Sequence, residues 1–135
     1  VIYLDSAAIV KLIRPERETA DLHAWLTAHP GEPLMSSTLA EIEVPRALRR
    51  SDPGRLVAVP TILAKINKIE LDAVVRVTAA AYDDPTLRSL DAIHLASAHT
   101  LLLEGEQFTA LVTYDKRLLA AAEAAGLPVA SPGAA

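Results

Sequence analysis

The sequence predicts an α/β protein: a three-layer α/β/α sandwich around a short, mostly parallel central sheet. Three observations predict it. Short apolar runs alternate with longer segments of helical periodicity along the chain. Those runs lack the polar alternation of a sheet with one wet face, as expected for strands covered by helices on both sides. The length of 135 residues, 51% of them hydrophobic, suits one packed domain rather than a disordered chain. That single domain is expected over residues 1–130. Residues 131–135, which open Ser131-Pro132-Gly133, are expected to form a flexible tail.

Each element has a local reason. Residues 1–4, VIYL, read as the first strand. Ser6 is placed to cap a helix over residues 6–14, and Pro15 to start another through about residue 28. Leu22, Trp25 and Leu26 give that second helix an apolar face at i, i+3, i+4 spacing. Residues 33–37 form a second strand, residues 39–50 a helix, and Asp52-Pro53-Gly54 a turn. Pro60 opens a further helical stretch, residues 69–71 are a third strand candidate, and residues 73–82 are helical until Asp83-Asp84-Pro85. Ser89 is placed to cap a long helix over residues 89–104. A strand over residues 111–114 leads to a helix over residues 116–125, stopped by Gly126, and residues 127–129 form the last strand.

Composition narrows the function classes. The net charge is -4, from 13 basic and 17 acidic residues, so a wholly basic nucleic-acid binder is not expected. There are no cysteines, which excludes disulfides and thiolate metal sites. No apolar run reaches the ~18 residues of a membrane span. Residues 1–25 show no basic segment, apolar stretch and cleavage site in succession, so a cytoplasmic protein is expected.

Ligands of open parallel sheets gather beyond the carboxyl ends of the strands. Acids arrive there repeatedly. Asp5 follows the first strand, Glu41 and Glu43 lie in the helix after the second, Asp91 opens the long helix, and Asp115 follows the fourth strand. Any one of them has an ordinary explanation, because acids cap helix N-termini and complement the macrodipole. Together they do not. Carboxylates about 4 Å apart repel by about 4 kcal/mol per pair at an effective dielectric near 20. No Lys or Arg stands at the end of the first strand. A divalent cation is the simpler neutraliser, and an all-oxygen donor set points to Mg²⁺ or Mn²⁺.

Glu41 and Glu43 lie about 200° apart around one helix and cannot share a face. Thr38-Leu39-Ala40-Glu41 fits a capping box, so Glu41 takes the structural role and Glu43 the site. His94, one turn after Asp91, is read as packed behind the site rather than as a metal ligand. His23, His29 and His99 have no visible partner and are read as structural or surface residues. Thr113 and Ser6 are candidates to support the acids, Thr113 pointing to the same side as Asp115 if the strand persists.

The stretches YLDSAAIVKL, SSTLAEIEVPRALRR, LRSLDAIHLASA and VTYDKRLLAAA resemble the PIN-domain ribonucleases, particularly the VapC-type toxins of bacterial toxin–antitoxin pairs. They cover nearly the whole chain in the family's order. The family's acids match Asp5, Glu43, Asp91 and Asp115, and its Ser or Thr before the last acid matches Thr113. The chain departs from the pattern at Pro45, early in its helix, and at the Lys116-Arg117 pair after Asp115. The resemblance implies a homodimer and Mg²⁺- or Mn²⁺-dependent endonucleolytic cleavage of RNA to 5′-phosphate products. It also implies a small cognate VapB-type antitoxin that presents an arginine to the acidic pocket. Arg46, Lys116 and Arg117 are the candidate RNA contacts, while Arg49 and Arg50 read as a solvated helix face. One Trp, one Phe and three Tyr are too few for a broad base-stacking platform.

Three other readings remain. A phospho-accepting receiver domain needs a pair of adjacent acids after the first strand, and Asp5 stands alone. A haloacid-dehalogenase-type phosphatase needs a second Asp two residues on, where Ala7 stands. A catalytically silent PIN-like binding module fits every element but has no use for four acids.

Overall fold

A computed structural model describes residues 1–134. Five parallel strands form one sheet: β1 (Ile2–Leu4), β2 (Leu34–Ser37), β3 (Asn67–Ile69), β4 (Ala110–Val112) and β5 (Val129–Ala130), in the order β3-β2-β1-β4-β5. Seven helices connect them: α1 (Ser6–Ile13), α2 (Thr19–Thr27), α3 (Ala40–Ser51), α4 (Val59–Ala64), α5 (Ala73–Ala81), α6 (Ser89–Leu103) and α7 (Lys116–Ala124). The parallel sheet between helical layers is the predicted sandwich.

Strand alternation divides the core in two. Ile2 and Leu4 point to one face and pack with Ile9, Val44 and Leu48 from α1 and α3. Tyr3 points to the other and packs with Leu95, Leu101, Leu118 and Ala122 from α6 and α7. Val112 and Leu111 repeat the same split on β4. Because both faces are covered, β1 and β4 are buried at every position and need no polar alternation.

The topology decides where a ligand can sit. The chain steps from β1 to β2 to β3, then crosses back to β4 and β5 on the far side of β1. Its direction of winding reverses between β1 and β4, which pair with Leu4 opposite Val112. Asp5 leaves β1 at this reversal, and its N–H still donates to the Val112 carbonyl at 3.3 Å.

Several local expectations are corrected. Asp5, not Ser6, caps α1, accepting the Ala8 N–H at 2.8 Å, because the Ser6 hydroxyl is engaged elsewhere. Pro15 does not start α2, which begins at Thr19. The intervening Glu16 and Glu18 fold back onto Lys11 Nζ at 3.3 and 3.0 Å, which keeps this loop out of the helix. The capping box at Thr38 is absent. Leu39 is the N-cap position and its N–H is taken by the Ser37 hydroxyl at 3.1 Å, while the Thr38 carbonyl accepts the Glu41 N–H. Ser89 is the first residue of α6 rather than its cap.

Asp52-Pro53-Gly54 leads into a 3₁₀ segment, Pro53–Ala58, rather than a simple turn. β3 lies two residues earlier than expected and includes Asn67 and Lys68. It is an edge strand, where polar side chains are tolerated. α3 runs unbroken through Pro45, whose missing N–H would have bonded the carbonyl of the exposed Glu41. Within the stretch expected to fray, the Tyr114 hydroxyl donates to the Pro132 carbonyl at 2.8 Å; Ala135 lies outside the described residues.

Candidate active site

The ends of β1 and β4 are stitched by one hydroxyl. Thr113 Oγ1 donates to Asp5 Oδ2 at 2.6 Å and accepts the Asp115 N–H at 3.1 Å. Thr113 is fully buried just after β4, so the pairing of the two strands fixes where both acids emerge. Asp5 is only 5% exposed and uses both oxygens, one on Thr113 and one on the α1 cap. Asp115 is exposed and caps α7, with Oδ1 accepting the Arg117 and Leu118 N–H groups at 2.8 and 3.0 Å. The capping role and a role in the site are therefore compatible in both residues.

Glu43 comes in from the first turn of α3. Its Oε1 accepts the Ser6 hydroxyl at 2.7 Å and lies 2.8 Å from His94 Nε2. Ser6 and Thr113, the two candidate supporting hydroxyls, thus hold one acid each. Glu41 points away and is exposed, so the choice of Glu43 over Glu41 stands although the capping box does not. Asp91 occupies the first turn of α6, three residues before His94 and on the same helix face. Helix α6 is buried nearly all round, from Ala92 through Leu101, which leaves its polar start as the part that faces the edge.

The carboxyls respond to one another. Burial pushes the Asp5 carboxyl above its ordinary value and the Glu43 charge adds to this, against the opposing pull of His94, Thr113 and the Ala8 N–H. Burial also pushes the Asp91 carboxyl up, reinforced by the negative charges of Asp115, Asp5 and Glu43. For Glu43, burial raises the carboxyl but the hydrogen bonds from His94 and Ser6 outweigh it, leaving it below the ordinary value. All four acids thus share one electrostatic neighbourhood. Among the described residues no Lys or Arg forms an ion pair with any of them. Their side chains do not yet converge as direct ligands: among the described residues no three His, Asp or Glu groups are gathered closely enough to hold a metal ion.

An open cavity of about 440 Å³ adjoins Glu43, lined also by Ser6, Arg46 and Arg50 with the apolar Ile42 and Leu90. Arg46, a candidate RNA contact, therefore shares a cavity with Glu43, and so does Arg50, while Arg49 and Arg50 are exposed as a solvated helix face would be. Lys116 and Arg117 are exposed beside Asp115. Two groups escaped the sequence reading in part or whole. His94 was placed behind the site but not on Glu43, and Tyr3, 2.7 Å from His94 Nδ1, was not identified at all. A hydroxyl in an otherwise apolar buried strand was the available signal, because a buried phenol needs a partner.

Comparison with known proteins agrees with this architecture. Residues 2–124 match the family model described as PIN domain. The chain is 51% identical to Ribonuclease VapC35 of Mycobacterium tuberculosis, over 100% of this chain and 99% of that one. It is 41% identical to Ribonuclease VapC47 of the same organism, over 99% and 98%. A toxin–antitoxin complex from Klebsiella pneumoniae contains a chain of the same fold, with TM-score 0.67, 21% identity and 98% coverage of each chain. A chain in the structure of FitAB bound to an IR36 DNA fragment superposes with TM-score 0.59 at 20% identity, covering 100% of this chain and 97% of that one. The chain belongs to the PIN-domain family, among its VapC-type members.

Proposed function

We propose that this protein is a Mg²⁺- or Mn²⁺-dependent endoribonuclease, the toxin of a toxin–antitoxin pair. The observation that carries the reading is the acidic edge with no Lys or Arg ion pair among the described residues, in a chain half identical to a named VapC ribonuclease along its whole length. The receiver and phosphatase readings have no counterpart in these relatives.

The donor set fits a hard cation. Four carboxylates from four elements offer only oxygen, and two of them, Asp5 and Asp91, are raised by burial with neighbouring carboxylates adding to it. Mg²⁺ keeps several waters and takes one or two carboxylates directly, so an acidic edge in which no three such groups among the described residues close on one point is compatible with it. Asp5, Glu43, Asp91 and Asp115 would hold it. When bound, such an ion supplies an activated water at neutral pH and offsets charge on the scissile phosphate.

The remaining work falls to the chain. Asp5 is fixed by Thr113 and the α1 cap, and Glu43 by Ser6 and His94, so both present a defined geometry before substrate arrives. Asp91, partly exposed and without a protein hydrogen-bond donor among the described residues, is the acid placed to orient the attacking water and accept its proton. Arg46 and Arg50 on one flank, and Lys116 and Arg117 on the other, hold the phosphates beside the cut. A VapB-type antitoxin would block the same edge with a basic side chain, and the active form would be a homodimer.

Chelation tests this reading. EDTA is expected to abolish RNA cleavage by the purified chain, and added Mg²⁺ or Mn²⁺ to restore it. Cleavage that persists in excess chelator rejects the metal. A folded, metal-binding protein that cuts no RNA indicates a silent binding module.

A further inference from the structure

His94 is 3% exposed, and the hydrolysis described above uses it only as a hydrogen-bond partner of Glu43. Its ring lies between two elements that carry chemistry. Nδ1 is 2.7 Å from the Tyr3 hydroxyl on β1, and Nε2 is 2.8 Å from Glu43 Oε1 on α3. The Tyr3 and His94 rings meet edge to face with centroids 5.9 Å apart, which holds the imidazole plane.

The direction of the hydrogen bonds follows from the groups. An ionised carboxylate only accepts, so the nitrogen facing Glu43 carries a proton. Tyr3 is wholly buried, and burial holds its phenol far above the ordinary value, so it keeps its proton and, when the ring carries its single proton on Nε2, donates it to Nδ1. The chain then runs Tyr3 O–H to Nδ1, and Nε2–H to Glu43 Oε1. The Ser6 hydroxyl donates to the same oxygen at 2.7 Å. Both donors engage Oε1. Among the described residues Oε2 has no protein partner.

The tether has something to prevent. Glu43 is about a quarter exposed and shares its cavity with Arg46 and Arg50. A loose glutamate on that helix face would swing towards either guanidinium and form an ion pair away from the other acids. We propose that His94, with its tautomer set by Tyr3, is a positioning residue that pins Glu43 through Oε1 and leaves Oε2 as the oxygen presented to the divalent cation. This rests on the metal-dependent reading above. Partners that orient a ligand in this way typically change metal affinity by about 10–100-fold.

The test compares two replacements of similar size. His94→Gln sets an amide N–H where Nε2 stands and keeps the donor to Glu43. His94→Asn sets its amide where Nδ1 stands and reaches only Tyr3. Mn²⁺ affinity of the metal-free full chain is measured by electron paramagnetic resonance, with thermal melts as the check on folding and RNA cleavage as a second readout. His94→Asn is expected to bind Mn²⁺ at least about tenfold more weakly than wild type, and His94→Gln within about threefold of it. Equal affinity in wild type and a folded His94→Asn overturns the proposal alone, because wild type and Glu43→Gln still report on the metal. Wild-type protein that binds no Mn²⁺ overturns the metal reading and this proposal with it. If His94→Asn does not fold, Tyr3→Phe carries the test: loss of the donor to Nδ1 frees the other tautomer, and Mn²⁺ affinity falls at least about threefold. No fall overturns the proposal.

Discussion

Two clusters of acids in this molecule solve the same problem differently. In the loop between α1 and α2, Glu16 and Glu18 meet their cations within the chain. Lys11 Nζ lies 3.3 and 3.0 Å from them, Arg14 lies 3.2 Å from Glu16, and Arg17 lies 3.7 Å from Glu18. The Lys11 hydrogen bond holds the Glu18 carboxyl below its ordinary value. At the sheet edge, among the described residues no Lys or Arg pairs with Asp5, Glu43, Asp91 or Asp115, only His94 meets Glu43, and Asp5 and Asp91 are pushed the other way. The first cluster is complete as folded. In the second, His94 and Ser6 settle Glu43, while Asp5 and Asp91 stay raised, which a purely structural cluster would have no reason to retain.

The largest expected break in this contrast is in activity. Asp5→Asn and Glu43→Gln each remove a negative group from the edge, and RNA cleavage should fall at least about a hundredfold in each, the scale for losing one preorganised charge-stabilising group. Circular dichroism should show both folded.

Next in size is Lys11→Met, which breaks the other cluster. It leaves Glu16 and Glu18 with only Arg14 and Arg17 as partners and removes the ammonium 4.6 Å from the Tyr114 ring centroid. We expect a lower urea midpoint, with cleavage per folded molecule unchanged. Asp91→Asn should act in the opposite sense on stability. A carboxyl whose folded value is raised contributes instability once it ionises, fully present above that raised value. Removing the charge should therefore stabilise the metal-free protein at neutral pH, seen as a higher thermal midpoint, while cleavage is lost. The smallest effect is expected for Glu41→Gln. The absent capping box predicts a change within about 0.5 kcal/mol in unfolding and none in cleavage.

Much of this contrast could be read from the sequence because it depends on chain order. Asp5 and Asp115 each end an apolar run, and parallel pairing of β1 with β4 brings such ends together whatever the surrounding detail. Caps were less legible. Asp5 and Ser6 are both good capping residues one position apart, and only the pull of Glu43 on the Ser6 hydroxyl decides between them. The edge strands were misplaced for a related reason: Asn67 and Lys68 enter β3 through backbone pairing with Met35 and Ser36, which leaves no apolar pattern. The Tyr3–His94–Glu43 chain joins residues 91 and 51 positions apart, and no local pattern encodes it.

The central claim is that the second cluster needs a cation from outside and the first does not. Calorimetric titration of Mn²⁺ into the metal-free chain tests it most directly, with Asp5→Asn and Lys11→Met measured alongside. Saturable binding in wild type and in Lys11→Met, lost or strongly weakened in Asp5→Asn, is the predicted result. A flat isotherm in folded wild-type protein, or equal binding in Asp5→Asn, would contradict it.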